Sequence, residues 1–229
     1  MNTPVNSPVR NALNTPVNTP ARHDPNSTTL GLNPEDTAIA DRALQRSFNG
    51  MQFHRFFEGL HSLFHIGHVV ITGSAAKSIH TQLNPDLYQS AFRSPNDIDV
   101  IVNTHRLASA PLRKTALLSQ FGLRMPEASK PYILEYSNGG HNIKIDLIPS
   151  DTQMVRDEFD ACETHGAVAI SSLTSLNRLD RARLRSGEGN LSQIQSDMQF
   201  FENAGHNRAA ATRQRSPEGP PRIVRRRID

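Results

Sequence analysis

The sequence VVITGSAAK at residues 69–77 and the sequence RSPNDIDVIV at residues 93–102 decide the fold of this chain. The first is an apolar run that stops at Gly-Ser, which predicts a buried strand leading into the N-terminus of a helix. Free backbone N–H groups, the positive end of the helix dipole and a glycine without Cβ let a phosphate approach such a turn closely.

The second segment predicts a strand with two acidic side chains on one face. Because side chains alternate along a strand, Asp97 and Asp99 project together, and the opposite face is apolar, with Ile98, Val100 and Val102. Neighbouring carboxylates repel each other, and a bound divalent cation relieves the repulsion. A phosphate-binding turn followed by a metal-binding pair of carboxylates indicates chemistry on a nucleotide.

The composition is that of a folded central region flanked by polar ends. The chain has 229 residues, of which 36% are hydrophobic, and a mean hydropathy of -0.50, which is low for a compact domain. Cys162 is the single cysteine, so an intramolecular disulfide is excluded. No apolar run approaches the ~20 residues of a membrane span, and no signal peptide opens the sequence. We therefore expect a soluble, cytoplasmic protein.

The two ends have biased compositions. Residues 1–32 are rich in Asn, Thr, Ser and Pro with a loose Asn-Thr-Pro-Val repeat, which predicts a disordered leader. It is either a linker or a secretion signal, because it resembles the leaders of bacterial type III effectors, which enter a host cell without a cleaved signal peptide. Residues 205–229 are predicted to form a disordered Arg-rich tail, which either contacts polyanions or keeps the chain soluble. Residues 206–229 carry seven arginines against two acids, so the rest of the chain has a net charge near -2.

Between the ends, residues 33–204 are predicted to form one α+β domain in which helices flank a mixed β-sheet. Asn33-Pro34 with two following acids is a helix start, and a later Asn-Gly-Gly sequence is a hairpin turn. The arginines of the helix predicted at 172–184 are spread around it, which indicates a solvated face. The other predicted segments are two helices before residue 65, helices at 75–83, 111–121, 154–164 and 190–201, and strands at 131–136, 141–148 and 167–170.

The strand after the hairpin carries a third acid. Asp146 lies between Ile145 and Leu147, and alternation places it on the face opposite these apolar side chains, together with Lys144. A structural salt bridge would explain Asp146 alone. A third carboxylate of a metal site explains it together with Asp97 and Asp99.

The order of these three elements resembles the DNA polymerase beta-like nucleotidyltransferase superfamily. The matching sequences are ITGS at 71–74, DID at 97–99 and KIDL at 144–147, each in the same strand context as in that family. The interval between the first two is longer than in many members. Longer intervals occur in the abortive-infection toxin-like branch, which often has an arginine four residues before the first aspartate, as Arg93 is here. The resemblance covers about a third of the chain.

The resemblance implies a metal site and a phosphate site. Two Mg²⁺ ions, with Mn²⁺ as an alternative, would be bound between Asp97, Asp99 and Asp146. The turn at Gly73 and Ser74 would hold the β- and γ-phosphates of an NTP. The metals would neutralise charge on the α-phosphate and polarise the attacking hydroxyl.

It also implies roles for three further groups. Asp146 would accept the proton of the attacking hydroxyl in addition to binding metal. Lys77, one turn into the helix, would reach a phosphate or else be an ordinary solvent-exposed lysine. Arg93 would contact the triphosphate or the acceptor.

These residues leave three function hypotheses. The first is an enzyme that transfers NMP from an NTP to a hydroxyl of a protein, an RNA or a small molecule. The second is a glycosyltransferase, because an Asp-x-Asp strand also holds Mn²⁺ and a nucleotide-sugar. The third is a non-catalytic interaction protein whose ends carry the function, although three unused buried carboxylates would be costly.

Overall fold

The computed structural model describes residues 32–214 except Gln89, Ala91, Arg113, Ala128 and Pro131, with side chains described up to residue 204. The predicted leader, and the predicted tail beyond residue 214, lie outside these residues. The helices are α1 (Pro34–Ser47), α2 (His54–Phe64), α3 (Gly73–Leu83), α4 (Thr104–Ser109), α5 (Thr115–Gln120), α6 (Gln153–Asp160), α7 (Leu173–Ser186) and α8 (Leu191–Gln214). The strands are β1 (Val69–Thr72), β2 (Asp97–Val102), β3 (Leu123–Arg124), β4 (Ile133–Asn138), β5 (His141–Pro149), β6 (Cys162–His165) and β7 (Val168–Ser171).

The described strands form one seven-stranded mixed sheet in the order β3-β4-β5-β2-β1-β7-β6. β2 is parallel to β5 and antiparallel to β1, which is in turn parallel to β7. The remaining pairs, β3 with β4, β4 with β5 and β6 with β7, are antiparallel. The predicted α+β class, a mixed sheet flanked by helices, is confirmed.

The two faces of the central strands pack against different helices. Ile98, Val100 and Val102 are fully buried in the main core, to which α1, α2 and α3 contribute. The opposite face has a smaller apolar cluster around Ile101, against which Val155 and other residues of α6 pack. The predicted division of β2 into an apolar and an acidic face is therefore confirmed.

Several predicted boundaries are wrong. The helix predicted at 154–164 ends at Asp160, and residues 162–165 form β6 instead. β6 pairs with β7 across a turn in which Gly166 has φ +66°, so hairpin pairing outweighs helix propensity there. α8 continues to Gln214, past the end of the helix predicted at 190–201, and the helix predicted at 111–121 spans only Thr115–Gln120. The short α4 and β3 were not predicted, because a helix of six residues and a strand of two are too short to show their period.

Candidate active site

Strand pairing brings the three predicted acids together. Asp99 lies opposite Asp146 in the parallel β2–β5 pair and opposite Thr72 in the antiparallel β1–β2 pair. Side chains that are paired across neighbouring strands project from the same face, and Asp97 joins them two residues away. The register thus places Asp97, Asp99 and Asp146 on the face opposite the main core.

The acids perturb each other electrostatically. Burial raises the pKa of Asp99 from its ordinary value near 3.8 to about 6, and repulsion from Asp97 and Asp146 adds to this effect. The positive charges of Arg183 and Lys144 oppose the shift. A cation placed nearby would therefore favour the charged form of Asp99.

Asp146 is held by a lysine on its own strand. Lys144 Nζ donates to Asp146 Oδ2 at 2.6 Å, and this hydrogen bond raises the pKa of Lys144. The salt bridge that the sequence left open for Asp146 is thus present. Within the part of the chain that the structure describes, no three His, Cys, Asp or Glu side chains are arranged to hold a metal ion as they stand.

The donor set still suits a hard cation in its chemistry. Asp97 and Asp99 offer carboxylate oxygens, the ligands that Mg²⁺ and Mn²⁺ prefer. The pKa of Asp99 is raised mainly by burial and further by repulsion from Asp97 and Asp146. Asp146 can join the pair once Lys144 releases its carboxylate. The residue types, and not their present arrangement, fit a Mg²⁺ site with Asp97 and Asp99 at its centre.

The turn after β1 requires a glycine. Gly73 has φ +64°, and a Cβ there would lie 2.1 Å from Asp99 Oδ2, well inside contact distance. The absent side chain brings the first residue of α3 against the acidic pair. Ser74 follows in the first turn of this helix, and α3 has no side-chain cap at its N-terminus.

A cavity of about 800 Å³ opens beside this turn, a volume within the range of small-ligand sites. Gly73, Ser74, Asp97 and Asp99 line it together with residues of α6, α7 and α8. Asp146 does not line it, since it lies one strand further from the opening. The cavity therefore joins an acidic wall to a helix N-terminus.

Lys77 and Arg93 also line the cavity, but carboxylates hold both of them. Lys77 Nζ donates to Asp180 at 2.6 Å and to Asp197 at 3.3 Å, and only 4% of Lys77 is exposed. Arg93 donates to both oxygens of Asp197 at 3.0 Å each. The alternative that Lys77 is solvent-exposed is wrong. As the structure stands, both cations fasten α3 and the segment before β2 to α7 and α8.

The charge of Asp197 follows from these contacts. Burial alone would raise its pKa, but the hydrogen bond from Arg93 and the charge of Lys77 lower the pKa below its ordinary value. Asp197 thus stays ionised between two cations. A bound phosphate would be able to accept hydrogen bonds from the same two cations.

Besides Asp180 and Asp197, the charged cavity residues Arg183 and Glu158 were not identified from the sequence. Arg183 on α7 is exposed and lines the cavity, and it makes no ion pair with any residue that the structure describes. Glu158 on α6 is 1% exposed and accepts hydrogen bonds from Thr72 and Ser171. Nothing local in the sequence distinguishes Glu158 from the other acids of its helix. Arg183 is one of several arginines that are distributed around α7, so its position in the sequence does not single it out.

No protein-family model, no curated protein and no solved structure matches this chain in comparisons with known proteins. None of the helices that the structure describes combines the length and the apolar character that crossing a membrane demands.

Proposed function

We propose that this protein is a Mg²⁺-dependent nucleotidyltransferase that moves NMP from an NTP to an acceptor hydroxyl. The observation that carries the proposal is the juxtaposition of Asp97 and Asp99 with the N-terminus of α3 at one cavity. A metal–triphosphate needs both features, because its cation requires carboxylates and its phosphate oxygens require N–H donors.

Each group of the cavity has a role in this proposal. The first-turn N–H groups of α3, with Gly73 and Ser74, bind the β- and γ-phosphates. Arg183 is the cavity cation that no described carboxylate holds, so it is available to the triphosphate. Mg²⁺ bound by Asp97 and Asp99, completed by Asp146, would neutralise charge on the reacting phosphate and make the hydroxyl more acidic.

The transfer conserves atoms and charge as follows. The acceptor oxygen bonds to the α-phosphorus, the bond from that phosphorus to the bridging oxygen breaks, and pyrophosphate leaves. The hydroxyl proton goes to a carboxylate of the acidic cluster, for which we propose Asp146. Because Asp146 does not line the cavity and is held by Lys144, this role requires Lys144 to release it toward Asp99. Lys77 and Arg93 contribute by holding α7 and α8 over the cavity. They reach a phosphate only if their ion pairs with Asp180 and Asp197 break.

The setting of the reaction is part of the proposal. The chain acts in the cytoplasm, or in a host cell if its leader directs secretion. The Arg-rich end supports binding to a polyanion such as RNA. The acceptor is a hydroxyl of a protein, an RNA or a small molecule, and the experiment below identifies which.

The test is incubation of the purified protein with each α-³²P-labelled NTP and Mg²⁺ or Mn²⁺, in a lysate that contains RNA and protein. We expect label in one macromolecular fraction or in a small product, and its loss in Asp97→Asn. Asp86→Asn, which removes an exposed carboxylate, is the matched control. Transfer from a UDP-sugar in place of an NTP would favour the glycosyltransferase alternative and contradict the proposal.

A further inference from the structure

The end of β1 has an unusual hydrogen-bond arrangement. Thr72 is the N-cap residue of α3 and has the extended backbone of such a residue, at φ -133° and ψ -169°. A threonine there ordinarily accepts a hydrogen bond from an N–H of the first turn. Thr72 makes no such bond, and its hydroxyl donates to Glu158 Oε1 instead.

Other helices of this protein use the ordinary arrangement. The N-cap side chains of α1, α4, α6 and α7 each accept from a backbone N–H in the turn that follows. Thr152, the same residue type as Thr72, caps α6 by accepting from the N–H of Val155. Two features distinguish the start of α3 from these helices: Gly73 has φ +64° in place of a helical value, and the Thr72 hydroxyl is bonded to Glu158.

Glu158 accounts for the direction of the Thr72 hydroxyl. The carboxylate reaches from α6 to the adjacent ends of β1 and β7, where Oε1 accepts from the hydroxyls of Thr72 and Ser171, the latter at 2.6 Å. Glu158 is almost completely buried yet lines the cavity, and no described residue donates to its Oε2. A buried carboxylate is a strong acceptor, so it competes effectively for the Thr72 hydroxyl.

We infer that Glu158 is a positioning residue that turns the Thr72 hydroxyl away from α3 and thereby keeps the N-terminus of this helix open for phosphate. The inference rests on the proposed function, because it names how the chain prepares the same phosphate site. Without Glu158, the hydroxyl is free to rotate and to cap the N–H of Ser74 or Ala75. A phosphate would then compete with that cap.

The binding test uses inorganic tripolyphosphate with MgCl₂, so that no base preference enters, and measures Kd by titration calorimetry. Glu158→Ala should weaken binding by about 2- to 30-fold, the range that the strength of a threonine cap implies. Glu158→Gln, whose amide oxygen still accepts from Thr72, should restore most of the affinity. Ser171→Ala removes only the other hydroxyl and is the matched control.

The decisive comparison is made in a Thr72→Val background. Valine has the shape of threonine without its hydroxyl, so no cap can form and Glu158→Ala should then not weaken binding; loss of the cavity carboxylate can only favour the anion. An equal loss of affinity with Thr72 present and in the Thr72→Val background would overturn the inference. Failure of Glu158→Gln to restore binding would also overturn it, since the charge of Glu158 would then be what matters.

A readout without ligand separates this inference from the proposed function. Amide hydrogen exchange at Ala75 or Ser74 should slow in Glu158→Ala by a factor similar to the loss of binding, and not in the variant that also carries Thr72→Val. Unchanged exchange would overturn the inference even if the protein binds NTPs. Slowed exchange in a protein that binds no tripolyphosphate and no NTP would support the inference and contradict the proposed function.

Discussion

Replacing Asp99 with Asn should stabilise the protein at neutral pH. The pKa of Asp99 is raised to about 6 in the folded protein, so the folded state favours the protonated carboxyl. Its contribution to stability is then complete below the unfolded pKa, near 4, and is lost as the pH rises through 6. A shift of about two units corresponds to about 2–3 kcal/mol, and Asn avoids this penalty because it has no charge.

The assay is urea unfolding at pH 4 and at pH 7.5, without divalent cations. Asp99→Asn should exceed the wild type by about 2–3 kcal/mol at pH 7.5, or roughly 4–12 °C in Tm, and should equal it near pH 4. Adding Mg²⁺ should stabilise the wild type and not the variant. A variant that is less stable at pH 7.5, or a difference that does not change with pH, would refute this account of the acidic cluster.

Three further substitutions test other parts of the site. Gly73→Ala places a methyl group against the Asp99 carboxylate at positive φ and should lower the free energy of unfolding in urea by about 2–4 kcal/mol. Gly139→Ala, where the new methyl group meets open space, should lower it by about 1 kcal/mol. Lys77→Met leaves the buried carboxylate of Asp180 unpaired, while Arg93 still holds Asp197, and should cost about 3–5 kcal/mol. Lys130→Met, in an exposed pair, should cost under about 1 kcal/mol. Arg183→Gln should raise the Kd for NTP about tenfold in calorimetry and leave stability within about 0.5 kcal/mol.

The acidic face and the turn could be predicted because local patterns determine them. Alternation along β2 and β5 fixes which side chains share a face, and parallel pairing of the two strands then brings Asp99 beside Asp146. A helix start beside Gly73-Ser74 follows from an apolar run that ends in Gly-Ser, although α3 begins at Gly73 and not at the predicted residue 75. The alternation and the turn need only the identities of nearby residues, whereas the pairing of β2 with β5 appears only in the fold.

The partners of the cations could not be predicted, because they come from distant parts of the chain. Lys77 meets Asp180, and Arg93 meets Asp197, across more than 100 residues of sequence. Glu158 likewise reaches Thr72 only after α6 has packed on the sheet. Periodicity carries no information about which helix covers a given strand end, so these contacts appear only in the folded structure.

Calorimetric titration of NTP with and without Mg²⁺ tests the central claim most directly, namely that Asp97, Asp99 and the start of α3 form a metal-dependent nucleotide site. At least one NTP should bind in the presence of Mg²⁺ and lose most of its affinity in EDTA, in Asp97→Asn and in Asp99→Asn. Binding that is unchanged by these substitutions would place the nucleotide elsewhere. No binding of any NTP in Mg²⁺ or Mn²⁺ would contradict the claim itself.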